Sequence, residues 1–160
     1  IDKKVFFRVS EKERHELKKF FGLNDNKVNI LFVGRLEPLK GITSILKVLA
    51  AINRTDIRLV VIGDGPFKDK VVACPFVYYP GKVQHVEMYK YYNACDLLVI
   101  PSYYETFGLV AFEALACGCR VLSRNVGDVQ FVVDRESIFI DDEEFARKLK
   151  RVLADFQKDG

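Results

Sequence analysis

At 160 residues and 49% hydrophobic, the chain has the size and apolar content of one globular domain rather than two. A domain of that length hides roughly 70% of its unfolded surface and needs neither disulfides nor a structural metal to fold. Its 25 basic and 22 acidic side chains leave a net charge of +3, too small and too dispersed to imply a nucleic-acid or membrane partner.

Residues 1–27 predict a lead-in strand or loop followed by one helix packed against the domain's edge. Ser10 and Glu13 form a capping box for that helix, which should run to about Phe21 and close at Gly22. The apolar run 28–33 reads as a buried strand, and Ile42, Ile45, Leu46, Leu49, Ala50 and Ile52 follow the three-and-four spacing of an amphipathic helix. A second buried strand is predicted at 57–62, a weaker one at 76–79, a helix at 85–93 and a third clear strand at 96–100. Beyond these come a helix at 107–116 ended by Gly118, weaker strands at 120–123 and 137–140, and a final helix carrying Phe145, Leu149, Val152, Leu153 and Phe156. Strands alternating with helices at this rhythm predict an α/β fold, a Rossmann-like doubly wound parallel sheet covered on both faces. The chain has no internal repeat and no inner linker.

Cys74, Cys95, Cys117 and Cys119 show neither a CxxC pair nor a histidine at metal-ligand spacing. They are expected to be buried free thiols in a reducing compartment, with no metal site. No apolar run reaches the ~20 residues that span a bilayer, so the domain is expected to be soluble. The chain opens at Ile1 rather than methionine, and the expectation is an excised piece of something longer.

Ligands of an open α/β sheet bind at the carboxyl ends of its strands, which directs attention to the loops 34–41, 63–66 and 101–109. All three should converge on one cleft. Arg35 and Lys40 leave the first strand on one short loop stiffened by Pro38, with Gly34 and Gly41 on either side. Two fixed cations suit a diphosphate, although solvated surface residues would look the same in sequence. The start of the helix near Glu105 to Leu109 offers backbone amides to an anion, and Gly108 leaves room for a ligand near the backbone. Glu105 and Glu113, up to ~12 Å apart if helical throughout, are too far apart to share a proton or a metal. That spacing suits the sugar and ribose ends of a nucleotide-sugar; the alternative is a helix-start acid and a core-edge ion pair.

Gly63-Asp64-Gly65 resembles a dinucleotide fingerprint only superficially, because Lys68 stands at the third glycine position and the segment follows the second strand. An NAD(P) enzyme is therefore disfavoured. His15 and His85 have no nucleophile in a recognisable setting and are expected at the surface. Tyr78, Tyr79, Tyr89, Tyr91, Tyr92, Tyr103 and Tyr104 could stack sugars or bases, but packing is their commoner fate.

The ordered set Leu31-Phe-Val-Gly-Arg-Leu36, Lys40-Gly41, Val61-Ile-Gly-Asp-Gly-Pro66, Asp96-Leu-Leu-Val-Ile-Pro-Ser102 and Glu105-x7-Glu113 carries a resemblance that no single piece does. The chain resembles the C-terminal, donor-binding domain of GT-B fold retaining glycosyltransferases, glycosyltransferase family four, the glycosyl transferases group 1. The resemblance implies that residues 1–160 are one lobe of a longer protein whose N-terminal acceptor domain is absent. That missing domain would be a partner of this one. A hexosyl group of mannose, glucose or N-acetylglucosamine type would pass from a UDP- or GDP-sugar to an acceptor. Arg35 and Lys40 would neutralise the donor diphosphate beside Gly34. Glu105 would bind the transferred sugar near the reacting carbon, and Arg35, Lys40 and Glu105 form the implied catalytic set. Phe107, Gly108 and Leu109 would present backbone amides, Glu113 would hold the ribose, and Val83 would touch the base.

The family implies no metal; no cofactor, no nucleic-acid partner and a cytoplasmic location are expected as well, with any contact at the membrane face made through the full-length protein only. The fragment alone is expected to be inactive in transfer. A non-catalytic nucleotide- or glycan-binding module on the same fold is the alternative. Three departures stand out: Arg120 replaces a usual proline, Phe131 stands where an acid is common, and the stretch from Pro66 to Phe76 is short. None touches Arg35, Lys40, Glu105 or Glu113.

Overall fold

In the computed structural model, which describes residues 1–23 and 26–158, the six predicted strands form one wholly parallel sheet. Positions 24, 25, 159 and 160 of the expected span lie outside the described residues. The strands are β1 (Val28–Val33), β2 (Ile57–Ile62), β3 (Val77–Gly81), β4 (Leu97–Ile100), β5 (Arg120–Arg124) and β6 (Ile138–Phe139), in the order β3-β2-β1-β4-β5-β6. The chain winds outward from β1 to β3, returns to the other side of β1, and winds outward again to β6. The winding direction reverses between β1 and β4, which makes their carboxyl ends the topological switch point.

The strands read as continuous apolar runs because both faces are buried. Leu31, Val60, Ile62, Leu98, Ile100 and Val121 point into one core. Their neighbours Ile30, Phe32, Leu59, Val61, Leu97, Val99 and Leu122 point into the other. The first core is covered by α1 (Glu11–Phe20), α4 (Met88–Ala94) and α5 (Leu109–Ala116). The second is covered by α2 (Ile42–Ile52), α6 (Asp142–Lys158) and the short α3 (Lys68–Val72). On α2, Ile42, Ile45, Val48 and Leu49 are buried, and on α6 Phe145, Leu149 and Leu153 recur every four residues. Each such side chain contributes about 1.5–3 kcal/mol by leaving water.

The differences from the sequence expectation have local causes. Asp96 lies just before β4, its backbone still bonded to Asn29 and Arg120, and its carboxylate accepts from Arg14 (2.6 Å), Lys18 (3.4 Å) and the Asn29 backbone amide (2.8 Å). With Asn93, which accepts from the Val9 amide and donates to the Phe7 carbonyl, it fastens the lead-in segment to the sheet. That segment is loop plus α1, with the predicted capping box present. Strand β3 extends through Pro80 to Gly81, which an edge strand tolerates. Strand β6 keeps only two residues, since the Ser137 and Ile140 amides donate to the side chains of Asp134 and Glu144. The helix predicted at 85–93 opens with a 3-10 turn, His85–Glu87, before α4. Helix α3 went unpredicted because Val71 is its one buried residue and no apolar stripe marks it.

Three cysteines, Cys95, Cys117 and Cys119, are buried free thiols as expected, whereas Cys74 is half-exposed. Burial pushes the Cys117 thiol up to about 11 and raises Cys95 and Cys119 as well. All three are held in the protonated, unreactive form.

Two contacts fix the loops at the carboxyl edge. Gly41, at φ +72°, lies against Pro101 so closely that a Cβ would fall 2.1 Å from the Pro101 carbonyl oxygen. Gly63 approaches the Gly34 carbonyl in the same way, with a Cβ placed 1.8 Å from its oxygen. From β5, the buried Arg124 donates to the carbonyls of Pro101 and Ile140 (3.0 Å each) and to Asp142 (3.1 Å). Its guanidinium also lies 4.3 Å from the Tyr103 ring centre. Ser44 on α2 donates to the same Asp142 carboxylate.

Gly41→Ala is expected to destabilise the chain by about 2–4 kcal/mol, against about 1 kcal/mol for Gly22→Ala, where a positive φ is required but nothing lies within reach of a Cβ. Thermal denaturation of both variants checks this, and equal melting temperatures would contradict the close approach. Arg124→Met should cost about 2–4 kcal/mol by leaving the Pro101 and Ile140 carbonyls without their donor. Arg124→Lys should recover little of it, since a point charge cannot span three acceptors.

Candidate functional site

The loop from β1 passes through Gly34 and Arg35, makes the 3-10 turn Pro38–Lys40, and enters α2 at Gly41. The loop from β4 passes through Pro101 and Ser102 to Gly108, the residue that opens α5. The two run side by side, with the Tyr103 amide donating to the Leu39 carbonyl (3.0 Å). Across the seam, Lys40 Nζ lies 2.9 Å from Glu105 Oε1, and the Ser102 hydroxyl donates to the same oxygen at 2.9 Å. Both charged side chains are partly sheltered, 27% and 20% exposed. A cation and a carboxylate from the two halves of the fold thus meet at the switch point.

The loop from β2 joins them. The Gly34 amide donates to the Ile62 carbonyl, the Leu36 amide to the Asp64 carbonyl, and the Gly63 amide to the Gly81 carbonyl, each at 3.0 Å. Tyr79 closes that side with a 2.6 Å hydrogen bond to the Gly63 carbonyl. The Gly63-Asp64-Gly65 segment is therefore a packed wall. The expected convergence of the three loops is present.

Arg35 does not join the Lys40–Glu105 pair. Its side chain is 63% exposed and Nε donates to Glu37 at 3.1 Å, so the two predicted cations leave the same loop toward different carboxylates. Gly34 stays half-buried at the root of that loop. Val83 is half-buried against the first core.

Helix α5 begins at Leu109 rather than at 107, because Gly108 takes a left-handed conformation (φ +66°). Gly108 is buried, and a Cβ there would fall 2.5 Å from Val129 Cγ2. No side chain caps α5 and no acidic residue stands in its first turn. Its amino end is suited to an anion, flanked by the exposed side chains of Phe107 and Leu109.

Glu105 therefore lies in the loop and Glu113 on the helix, so the all-helical ~12 Å separation does not describe the pair. Glu113 is buried and doubly held. Tyr92 of α4 donates to Oε2 at 2.7 Å, and His85 Nε2 lies 2.6 Å from Oε1. Burial and the neighbouring Glu113 carboxylate push the Tyr92 hydroxyl far above its ordinary range, which keeps it a donor. His85 is exposed as expected, yet it belongs to this cluster.

Sequence reasoning missed Ser102, Tyr92, His85 and Arg124 as parts of the site's framework. Ser102 carried a signal, its position two residues after the end of the fourth strand. The contacts of His85 and Tyr92 with Glu113 cross from one helix to another and depend on a packing register that no local spacing encodes. Among the described residues, no three His, Cys, Asp or Glu side chains gather where they could hold a metal ion, and no helix is long and apolar enough to cross a membrane.

Known proteins share this architecture. An uncharacterized glycosyltransferase of Methanocaldococcus jannaschii is 33% identical over 136 residues, covering 80% of this chain and 35% of that protein. The chain spans about a third of the length of the curated relatives it matches. Sucrose-phosphate synthase from Thermosynechococcus elongatus superposes with a TM-score of 0.83 at 30% identity, over 98% of this chain and 42% of that one. Anabaena HepE, solved in complex with UDP-glucose, shares the fold with a TM-score of 0.82 at 22% identity, over 99% of this chain and 47% of its own. Residues 13–159 match the family described as glycosyl transferases group 1, and the chain belongs to that family.

Proposed function

We propose that the chain is the C-terminal donor-binding lobe of a retaining family-four glycosyltransferase, which moves a hexosyl group from a UDP- or GDP-sugar to an acceptor held by an N-terminal domain. The observation that carries this reading is the Lys40–Glu105–Ser102 cluster at the switch point, beside the uncapped start of α5. Group 1 membership and the UDP-glucose complex of a protein with the same fold support it.

A donor diphosphate between Lys40 and the amino end of α5 would gain a cation and backbone amides together. Departure of the nucleotide builds negative charge on that diphosphate, so fixed positive groups there lower the barrier more than they stabilise the bound substrate. In turning toward phosphate Lys40 would loosen its contact with Glu105, leaving that carboxylate to Ser102 and to the hydroxyls of the transferred sugar. Arg35, on an exposed arm paired with Glu37, would close over the phosphates once donor arrives. Phe107, Gly108 and Leu109 would supply backbone amides, Glu113 would accept from the ribose, and Val83 would touch the base. Retention implies attack from the face that the leaving group departs.

Isothermal titration of the 160-residue chain with UDP and with GDP tests the donor site. Binding should be weak, and Lys40→Ala should weaken it further by about 1.5–3 kcal/mol, the worth of one charge-assisted contact. Arg35→Ala together with Lys40→Ala should abolish it, while equal affinity in wild type and double variant would refute the site. In the full-length protein, Glu105→Ala should reduce sugar transfer by at least about 100-fold. Transfer that survives this substitution unchanged would favour a carboxylate elsewhere as the catalytic group.

A further inference from the structure

Glu113 presents one oxygen to each of two neighbours, and the neighbours differ in kind. Tyr92 is fully buried and fixes Oε2 from inside the protein. His85 fixes Oε1 from outside: its side chain is 69% exposed, while that of Glu113 is 7% exposed. The imidazole is thus the solvent-facing partner of a carboxylate that is itself almost wholly covered. Phe6, itself buried, backs the ring at 5.1 Å between centres and also meets the Tyr92 ring at 6.1 Å. The imidazole is therefore supported rather than loose. It stands in the 3-10 turn that follows β3, two residues after Val83, on the segment nearest the proposed base contact.

A carboxylate offers about four lone-pair directions, and here two are in use. The remaining pair matches the requirement of two adjacent hydroxyls. With Nε2 of His85 as donor to Oε1 and the Tyr92 hydroxyl as donor to Oε2, the carboxylate plane is set from both sides before a ligand arrives. That order matters, because a carboxylate free to rotate about its last bond would lose this freedom on binding and bind more weakly.

We propose that His85 is a positioning residue for recognition of the ribose cis-diol of the nucleotide donor, holding Glu113 in the orientation that accepts from both hydroxyls. This inference rests on the donor-site reading above and adds to it the residue on which diol selectivity depends. A purely structural role, joining the turn before α4 to α5, would instead affect every ligand of the site alike.

The discriminating experiment titrates the 160-residue chain with whichever of UDP or GDP binds more tightly and with the 2′,3′-dideoxy form of the same nucleotide. Wild type, His85→Ala and His85→Gln are compared, with a thermal melt of each. Wild type should prefer the ribose form by about tenfold or more. His85→Ala should lose most of that preference by weakening the ribose nucleotide about tenfold while the dideoxy form binds as before. His85→Gln, whose side-chain amide can donate where Nε2 does, should restore much of the preference. Equal weakening of both nucleotides, or an unchanged preference in His85→Ala, would overturn the role of His85 and leave the donor site intact. Absence of UDP and GDP binding in a folded wild-type chain would instead overturn the donor-site reading, and this inference with it.

Discussion

The site rests on one backbone contact. Gly41 presses against the carbonyl of Pro101, joining the loop that leaves β1 to the loop that leaves β4 across the reversal of the sheet. The residues on either side of that contact are those that bond to one another. Lys40 precedes Gly41, Ser102 follows Pro101, and both meet Glu105. A side chain at position 41 would drive the loops apart and separate the cation from the carboxylate. Arg124 secures the same carbonyl from β5, so the spacing is held from two directions.

Much of this architecture was legible in the amino-acid order. The runs at Val28 and Ile57 had to be strands buried on both faces, since they alternate between two separate cores. The stripes of α2 and α6 had to face a sheet. Less legible were segments governed by single polar contacts. Asp96, just before β4, commits its carboxylate to Arg14 and Lys18, and Gly108 delays the start of α5 by turning left-handed. Neither event has a periodic signature. Helix α3, with one buried side chain, carried no pattern to detect.

The site shows the same division. Converging loops make Lys40 and Glu105 candidates and the family resemblance gives them roles, while their direct contact is visible only in the structure. Arg35, chosen on the same grounds, turns to Glu37 two residues along its own loop, a local partner that charge counting did not weigh. The carboxylate of Glu113 demanded company in an apolar helix, but the identity of that company depended on how α4 lies on α5. Only the packed structure could supply Tyr92 and His85.

Three cations at the carboxyl edge are already paired with carboxylates: Arg35 with Glu37, Lys40 with Glu105, Arg124 with Asp142. Together these three pairs add little net field to the surface, so a map of electrostatic potential over the unliganded molecule would give them no strong colour. The positive character of these pairs is latent, released when a carboxylate exchanges its partner. Arg124, with its donors committed to Pro101, Ile140 and Asp142, stays outside that exchange. The paired arrangement spares the fold the repulsion of clustered cations, and it makes the attraction felt by an anion a difference between two partners.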